Sequence, residues 1–362
     1  MGILDIPPEL LLLVVGDLSI GDLLAFRLTC CRVRDVLKQH FQKVCLQDVG
    51  QLTAIQRAAV HGYDELIELA ISNAATIDTP LKDNLKWIRV REAKSVNRVK
   101  IWDILDWANK SAETKAKHSI IRTPLFLAAC FGQVKVIELL LKKRASMQCF
   151  GQMMTPAHVS ATRGDVDCLR AFIQAGFNIN TRGTKDQTIL HVATLSGIKM
   201  MKYILQLEGG ANLVNARDSE GFTPLSYLAT TYDKPYHDRH MRKMVEVLVQ
   251  HKADIHARDK SGDMAAHHFA WMGSVGCLRP LIDAGFDLHS KGEHGATILH
   301  RAVVGGKKTI EYLVGLDGGK LIIDIKNDDG KTPLEYASGL MNKWPVREVL
   351  MRHGATSTTR RR

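Results

Sequence analysis

The sequence predicts an all-α protein in which a short N-terminal helical module precedes a solenoid of stacked helical repeats. After residue 50, pairs of short amphipathic segments recur at spacings of 32 to 41 residues. Two short helices cannot bury an apolar stripe alone, so this period predicts stacking against copies of the same unit. The first 50 residues are rich in leucine and lack the period. We therefore predict a helical module over residues 1–50 and a repeat domain over residues 51–362.

The clearest repeat lies between residues 122 and 146. Thr123 can cap the free amides at a helix start, and Pro124 suits the first helical position, where no N–H is needed. Gly132 ends this short helix, because glycine adopts the left-handed conformation at little cost. A second helix follows, and its apolar stripe consists of Val134, Ile137, Leu140 and Leu141. The unit is therefore a pair of helices joined by a tight turn.

The positions equivalent to Thr123 set the repeat register. Nine repeats begin at Thr53, Ile88, Thr123, Thr155, Thr188, Thr223, Met264, Thr297 and Thr332. The second repeat is degenerate, and the 41-residue spacing after Thr223 predicts an insertion near residues 233–241. In the last repeat Gly339 occupies a helical position, so the end of its first helix is expected to fray.

This period, with the segment T-P-L-H-x-A and a closing glycine, resembles the ankyrin repeat. The best matches are residues 218–225, 155–158 and 330–334, and the resemblance covers essentially everything after residue 50. It implies one concave binding face along the stack. Four histidines share a single repeat position, where a histidine is usually a structural hydrogen-bonding residue and not a metal ligand: His158, His191, His267 and His300.

The resemblance also implies which positions face a partner: the hairpin tip before each first helix, and the two residues after its small Ala-Ala pair. Several of these residues are larger or more apolar than solvation alone would favour, and aromatic and arginine side chains are common interface anchors. The predicted target-binding groove comprises Phe131, Arg163, Leu195, Trp271 and Met272, framed by Phe222, Lys260 and His294. The alternative interpretation is that some of these side chains cover neighbouring loops.

The N-terminal module reads as three short helices with apolar residues at helical spacing. Its segment I-P-P-E-L, followed by Leu18 and the run D-L-L at residues 22–24, resembles an F-box without a gap. Thr29 and Val33 replace the valine and tryptophan of the family pattern, which removes bulk from the third helix. The resemblance implies an adaptor-binding surface made by Ile6, Pro7, Glu9, Leu10, Val14, Leu18, Leu23, Leu24 and Leu28.

The two resemblances together imply a substrate receptor of a cullin–RING ubiquitin ligase. The F-box would bind the adaptor subunit of the ligase, and the repeats would hold a target protein, so no catalysis is expected from this chain. The rival interpretation is an ankyrin scaffold without a ligase role, in which the N-terminal helices only cap the repeats.

Composition and the absence of certain motifs argue against a nucleic-acid-binding, membrane or secreted protein. The formal charge is +11, with basic residues concentrated at 82–117 and at the terminal Arg360–Arg362, but no nucleic-acid-binding motif accompanies it. No apolar run is long enough for a membrane span, and no secretory signal is apparent. The seven cysteines lack a C-x-x-C pair, which favours reduced thiols in the cytoplasm or nucleus.

Asp233, His237 and His240 lack the companions of a known metal motif, so neither a metal nor a cofactor is predicted.

Overall fold

The computed structural model describes residues 53–72, 77–78, 123–148, 154–230, 238–340 and 344–356. In these residues the regular structure is helical apart from two isolated β-bridges, which confirms the predicted fold class. The described ranges hold sixteen α-helices in eight pairs, and each pair starts at a predicted repeat position. The pairs are α1 (Ala54–His61) with α2 (Asp64–Ser72), α3 (Pro124–Phe131) with α4 (Val134–Lys142), α5 (Pro156–Arg163) with α6 (Val166–Gln174), α7 (Ile189–Ala193) with α8 (Ile198–Gln206), α9 (Pro224–Thr230) with α10 (Asp238–Gln250), α11 (Ala265–Met272) with α12 (Val275–Asp283), α13 (Ile298–Gly305) with α14 (Lys307–Val314), and α15 (Pro333–Ser338) with α16 (Trp344–Arg352).

Some predicted elements lie outside the described residues. These are the N-terminal module with all of its proposed adaptor-binding residues, most of the second repeat, and residues 231–237 of the insertion. The predictions made for them, and the domain boundary at residue 50, stay predictions. Within the described residues, no helix combines the length and apolarity needed to cross a bilayer.

A threonine caps the first helix of most repeats, as the sequence predicts. The hydroxyl oxygens of Thr123, Thr155 and Thr332 each accept an amide from the first turn of the following helix, and proline occupies the first helical position. Gly132 then ends α3 in the left-handed region at φ 71°. The seventh repeat differs because Met264 has no hydroxyl. Its backbone N–H still donates to Nδ1 of His267 at 3.4 Å, a bond that the threonine-capped fifth and eighth repeats also make.

The chain forms two compact units, Met1–Phe177 and Asn178–Arg362. In the first unit, α1, α3 and α5 pack side by side as inner helices, with α2, α4 and α6 as an outer layer. Leu127, Ile137, Leu140 and Phe172 are fully buried between the layers. Burying a side chain of this size stabilises a fold by about 1.5–3 kcal/mol, so the apolar stripe read from the sequence holds this unit together.

In the second unit, the inner helices α7, α9, α11, α13 and α15 pack in chain order, and the outer helices follow the same order. Helices α11 and α13 approach each other closely at Gly305. A Cβ added at this glycine would lie 2.0 Å from the carbonyl oxygen of Ala270, a distance that no side chain could occupy. Glycine at this position is therefore required by the packing of the seventh repeat on the eighth.

Hairpin loops precede the inner helices of the second unit, and main-chain hydrogen bonds join most neighbouring hairpins. At three of the four junctions an amide donates to a carbonyl of the preceding tip: Ser219 to Lys185 (2.8 Å), Lys260 to Glu220 (3.0 Å) and Asp328 to His294 (3.0 Å). A row of exposed cations adds a second set of bonds. Arg182 donates to its own hairpin at Asp186 and to the carbonyl of Arg217, both at 2.9 Å. The same pattern continues at Arg217 and Arg258.

The predicted insertion lengthens an outer helix. Helix α10 has 13 residues, whereas the adjacent outer helices α8 and α12 have nine. Met241, Met244, Val245 and Leu248 are buried along one face of α10, so the longer helix keeps the apolar stripe of its neighbours.

Candidate functional site

In the first unit, the two predicted groove residues are both partly buried, and one of them is committed to a contact inside the unit. Phe131 is the last residue of α3. Arg163, at the end of α5, donates from Nη1 to the carbonyl oxygen of Cys130 at 2.5 Å. The guanidinium thus satisfies a carbonyl at the C-terminal end of α3, where helices favour positive charge. The prediction that Arg163 is available to a partner took no account of this contact.

The first and third repeats make the same kind of contact with a different residue. Gln133 donates from Nε2 to the carbonyl oxygen of Val60 at 3.0 Å. Val60 and Cys130 occupy the same repeat position, so α1 and α3 are each capped by a long polar side chain from the repeat whose inner helix packs against them. A polar residue near the helix-joining glycine is the sequence signal that could have identified this role.

In the second unit, the prediction of exposed groove residues is clearest at α11. Trp271 is 54% exposed, although it is a large apolar residue. Met272 is partly exposed, whereas Phe269 and Ala270, which precede Trp271, are fully buried. At this helix the buried pair is therefore followed directly by an exposed and a partly exposed side chain.

The remaining groove residues lie at the turns and tips of this unit. Leu195 is partly buried in the turn after α7, while Lys260 and His294 are exposed at two hairpin tips. The ring of Phe222 lies 5.7 Å from that of His268 in an edge-to-face arrangement. One part of the Phe222 side chain therefore packs against the next repeat, and only the remainder is accessible at the edge of the groove.

The four histidines at the shared position are buried hydrogen-bonding residues, as predicted. In His191, Nδ1 accepts the main-chain N–H of Thr188 at 3.2 Å, so Nε2 carries the proton and donates to the carbonyl oxygen of Phe222 at 2.9 Å. His300 makes the same two bonds, to Thr297 and to Lys331 of the ninth repeat. His191 and His300 therefore each link their own helix cap to the next repeat, while His158 is shown bonded to Thr155 of its own cap.

His267 follows this pattern less well. Its Nε2 lies 3.3 Å from the carbonyl oxygen of Ser290, which is at a different hairpin position from Phe222. Burial lowers the pKa of both His191 and His267 to about 4, so both are neutral near pH 7. Burial also lowers the pKa of His300.

Around α11, the structure also brings together charged residues that sequence reasoning missed. His268 Nε2 lies 2.6 Å from Oδ2 of Asp259, whose side chain is almost fully buried. Burial raises the pKa of Asp259, but hydrogen bonds from His268 and Ser261 outweigh this effect and lower the pKa to about 2. Asp259 is therefore ionised, and it orients His268 on the inner face of α11.

A second ionic cluster joins the seventh and eighth repeats. Nη2 of Arg301 lies 2.6 Å from Asp263 and 2.7 Å from Glu293. Asp263 Oδ1 also accepts the main-chain N–H of Glu293 at 2.9 Å. Burial lowers the pKa of Arg301, but the two carboxylates have the larger combined effect and raise it. No motif signals this cluster, because its members meet only once the hairpins have stacked.

The described residues contain no cluster of histidine, cysteine, aspartate and glutamate suited to a metal ion. Asp233 and His237, for which the sequence predicts no metal site with His240, lie outside the described residues.

Family models match both parts of the chain. The model of the F-box domain matches residues 3–43. The model of ankyrin repeats in three copies matches residues 94–183, 157–259 and 236–321, and these matches together cover more than half of the chain.

Individual relatives are distant and larger. The chain is 21% identical over 311 residues to the E3 ubiquitin-protein ligase KEG of Arabidopsis thaliana, covering 64% of this chain and 19% of that protein. It is 26% identical over 210 residues to the B-cell lymphoma 3 protein homolog of Mus musculus, covering 57% of this chain and 44% of that protein. The alignments thus span less than half the length of these relatives. The solved ankyrin repeat domain of Bcl-3 is similar with a TM-score of 0.49 and 21% identity, over 74% of this chain and 100% of that chain.

Proposed function

The chain belongs to the ankyrin-repeat family and carries an N-terminal F-box, and from this combination we propose that it is a substrate receptor of a cullin–RING ubiquitin ligase. The F-box match at residues 3–43 carries the proposal, since this module joins a receptor to the adaptor subunit of the ligase. The repeats then bind the target protein. Ankyrin repeats by themselves support only a role in protein–protein interaction.

The proposed role requires no bond-making by this chain. Holding a target beside the ubiquitin-carrying enzyme raises the effective concentration of the target lysines, which is a contribution of proximity. F-box and ankyrin domains generally act as non-catalytic adaptors, which agrees with this division of labour. The groove residues available for target binding include Trp271 and Met272 on α11 and Lys260 at the hairpin tip before it.

We further propose that the chain acts in the cytoplasm or nucleus, where cullin ligases would meet it. Three of its seven cysteines lie in the described residues, and all three are buried: Cys130, Cys168 and Cys277. The sequence also lacks a C-x-x-C pair, which is in keeping with reduced thiols in such a compartment.

The test is co-purification of the intact chain with a ligase adaptor and cullin. Changing both Leu10 and Leu18 to Asp should abolish capture of the adaptor, because an unpaired charge buried in an interface costs several kcal/mol. The matched control changes Gln174 and Gln206 to Asp, which adds the same charge at exposed positions of two outer helices. This control should capture the adaptor normally.

Adaptor binding that survives in a folded Leu10→Asp and Leu18→Asp variant contradicts the ligase role. Failure of the unaltered chain to capture any adaptor would favour the rival function, an ankyrin scaffold whose N-terminal helices only cap the repeats. Circular dichroism of the repeat helices should be the same in both variants, which confirms that the substitutions act on the N-terminal module alone.

A further inference from the structure

We propose that residues 79–122 are an insertion that leaves the ankyrin stack, and not a second repeat stacked between the first and the third. This inference goes beyond the proposed function and does not depend on it. Each repeat of a solenoid contacts only the repeats next to it, so contacts between described residues show which repeats are neighbours. In the first compact unit these contacts make the first repeat a direct neighbour of the third.

The helices of the first repeat pack directly on those of the third. Inner helix α1 contacts α3, and outer helix α2 contacts α4. The third and fourth repeats, which follow each other along the chain, are joined in the same way: α3 contacts α5, and α4 contacts α6. A repeat placed between α1 and α3 would hold them about 16–20 Å apart, twice the spacing of packed helices. A further pair of helices therefore has no place between the first and third repeats.

The side chains at the ends of the inner helices show the same neighbours. Gln133 lies on the end of α1: its Nε2 donates to the carbonyl oxygen of Val60 at 3.0 Å, and a Cβ added at Gly62 would lie 2.4 Å from its Oε1. Arg163 lies in the same way on the end of α3, where a Cβ added at Gly132 would lie 2.9 Å from Nη2. The first and third repeats thus meet as the third and fourth do.

The loops after the outer helices agree with this order. The main-chain N–H of Ser146, after α4, donates to Oδ1 of Asp78, after α2, at 3.1 Å. In the second unit the same bond joins the loops of consecutive helix pairs, because the N–H of Asp254, after α10, donates to Oδ1 of Asn215, after α8, at 2.8 Å. The pairs α1–α2 and α3–α4 are therefore consecutive in the stack.

The connection between α2 and α3 has the length that an insertion requires. Asn215 stands eight positions before Thr223, the residue that precedes α9, whereas Asp78 stands 45 positions before Thr123. The additional 37 residues fall within the repeat spacing of 32 to 41, so an insertion of this length keeps the sequence register in step. The ankyrin match that begins at residue 94 takes in part of the segment. That match reports sequence pattern, whereas the contact of α1 with α3 decides the order of the stack.

The inserted segment holds more than half of the net positive charge of the chain. It has 11 Lys and Arg residues against five Asp and Glu, a net +6 out of +11. Three of the five tryptophans also belong to it: Trp87, Trp102 and Trp107. The segment branches from the connection that precedes an inner helix, and the ankyrin resemblance assigns these connections to the partner-facing side. The basic stretch of the sequence thus belongs to a branch of the repeat array and not to its stacked surface.

The experiment measures a distance in the full chain. Glu68, Glu138 and Arg170 occupy the fifth position of the nine-residue helices α2, α4 and α6, and all three are exposed. Spin labels attached to an encoded keto amino acid at these positions avoid the native cysteines. We expect the labels at 68 and 138 to be as close as the reference pair at 138 and 170, whose repeats are neighbours. A separation about twice that of the reference pair would reveal an intervening repeat and overturn the proposal.

A deletion supplies the matched variant. Removing residues 79–115 puts Asp78 eight positions before Thr123, the same spacing as between Asn215 and Thr223. The distance between the labels at 68 and 138 should then be unchanged. A distance that falls by about half on deletion would show that the removed residues had stood between the two repeats. The full-chain distance decides the matter even if the shortened chain does not fold. Adaptor capture, which tests the proposed function, enters neither measurement.

Discussion

The seventh repeat is held to its two neighbours by different kinds of bond. Towards the sixth repeat, the amide of Lys260 donates to the carbonyl of Glu220, a main-chain bond that almost any residue could make. Towards the eighth, the carboxylate of Asp263 receives the amide of Glu293 and pairs with Arg301. A side chain thus replaces the main-chain acceptor used at the other described junctions of this unit.

The difference teaches that equivalent repeats can share a fold without sharing the interactions between them. A main-chain junction depends little on the identity of the tip residues. The ionic junction depends on Asp263, whose side chain is only 6% exposed. Asp263 belongs to the same repeat as Trp271, the most exposed aromatic residue of the described inner helices.

Acid should weaken both kinds of junction through the buried histidines, and this is the largest effect expected. His191 and His267 have folded pKa values of about 4, against about 6.5 when unfolded. Below pH 6.5 the unfolded chain takes up protons that the folded chain refuses, so stability should fall between pH 6.5 and 4 and then level off. Each histidine contributes about 3 kcal/mol to this loss. Urea unfolding across the range measures it.

His300 adds to this loss, because burial lowers its pKa as well. The carboxylates do not: the pKa of Asp259 is about 2, so Asp259 titrates below the window, and burial raises the pKa of Asp218, which opposes the loss near the acid end. Replacing His191 and His267 together by Gln should therefore make the profile between pH 6.5 and 4 markedly shallower. A profile as steep as that of the unaltered chain would show that these histidines are not the cause.

Removing the carboxylate of the ionic junction tests the comparison directly. Asp263→Ala should destabilise the second unit by about 3–5 kcal/mol, because it breaks a buried ion pair and leaves the amide of Glu293 without its acceptor. Thermal and urea unfolding provide the measurement. Lys260→Ala at the main-chain junction is the control, and it should change stability by no more than about 0.5 kcal/mol.

Equal effects of Asp263→Ala and Lys260→Ala would remove the distinction between the junctions. Asp263→Asn sharpens it, since the amide oxygen can still accept the N–H of Glu293 while the charge is lost. Its effect should therefore fall between those of the other two variants.

The smallest effect is expected at Trp271, when it is compared with a core residue of the other unit. Leu140 is fully buried, so Leu140→Ala should destabilise by about 2–5 kcal/mol through loss of apolar contact and the cavity left behind. Trp271→Ala removes a side chain that is 54% exposed and should change the melting temperature little. If Trp271→Ala unfolds the protein as readily as Leu140→Ala, Trp271 belongs to the core and cannot be a binding residue.

Local pattern was enough to predict the repeat fold, because the period, the helix caps and the apolar stripes all act over short stretches of chain. Thr123, Gly132 and Leu140 have the roles that their spacing predicts. The exposure of Trp271 followed from the same register. These features depend on position within one repeat, which a sequence displays directly.

Contacts between repeats were less predictable. Arg163 was placed in the groove by its position, but its long side chain reaches back to the carbonyl of Cys130 in the preceding repeat. Arg301 and Asp263 meet through stacking of separate hairpins, and no spacing rule links them. Side-chain reach and rotamer decide such contacts, and neither can be read from a repeat register.

The length of α10 has a consequence for how this array tolerates inserted sequence. Four extra residues amount to about one helical turn, or about 6 Å of added length. A whole turn returns the chain to the same side of the helix, so Met241 and the residues after it still meet their neighbours. The added turn stands at the start of the helix, before Met244, Val245 and Leu248, so it leaves the helical phase of these residues unchanged. An outer helix of such an array can therefore gain a turn at its start and keep its buried face continuous with the rest of the layer.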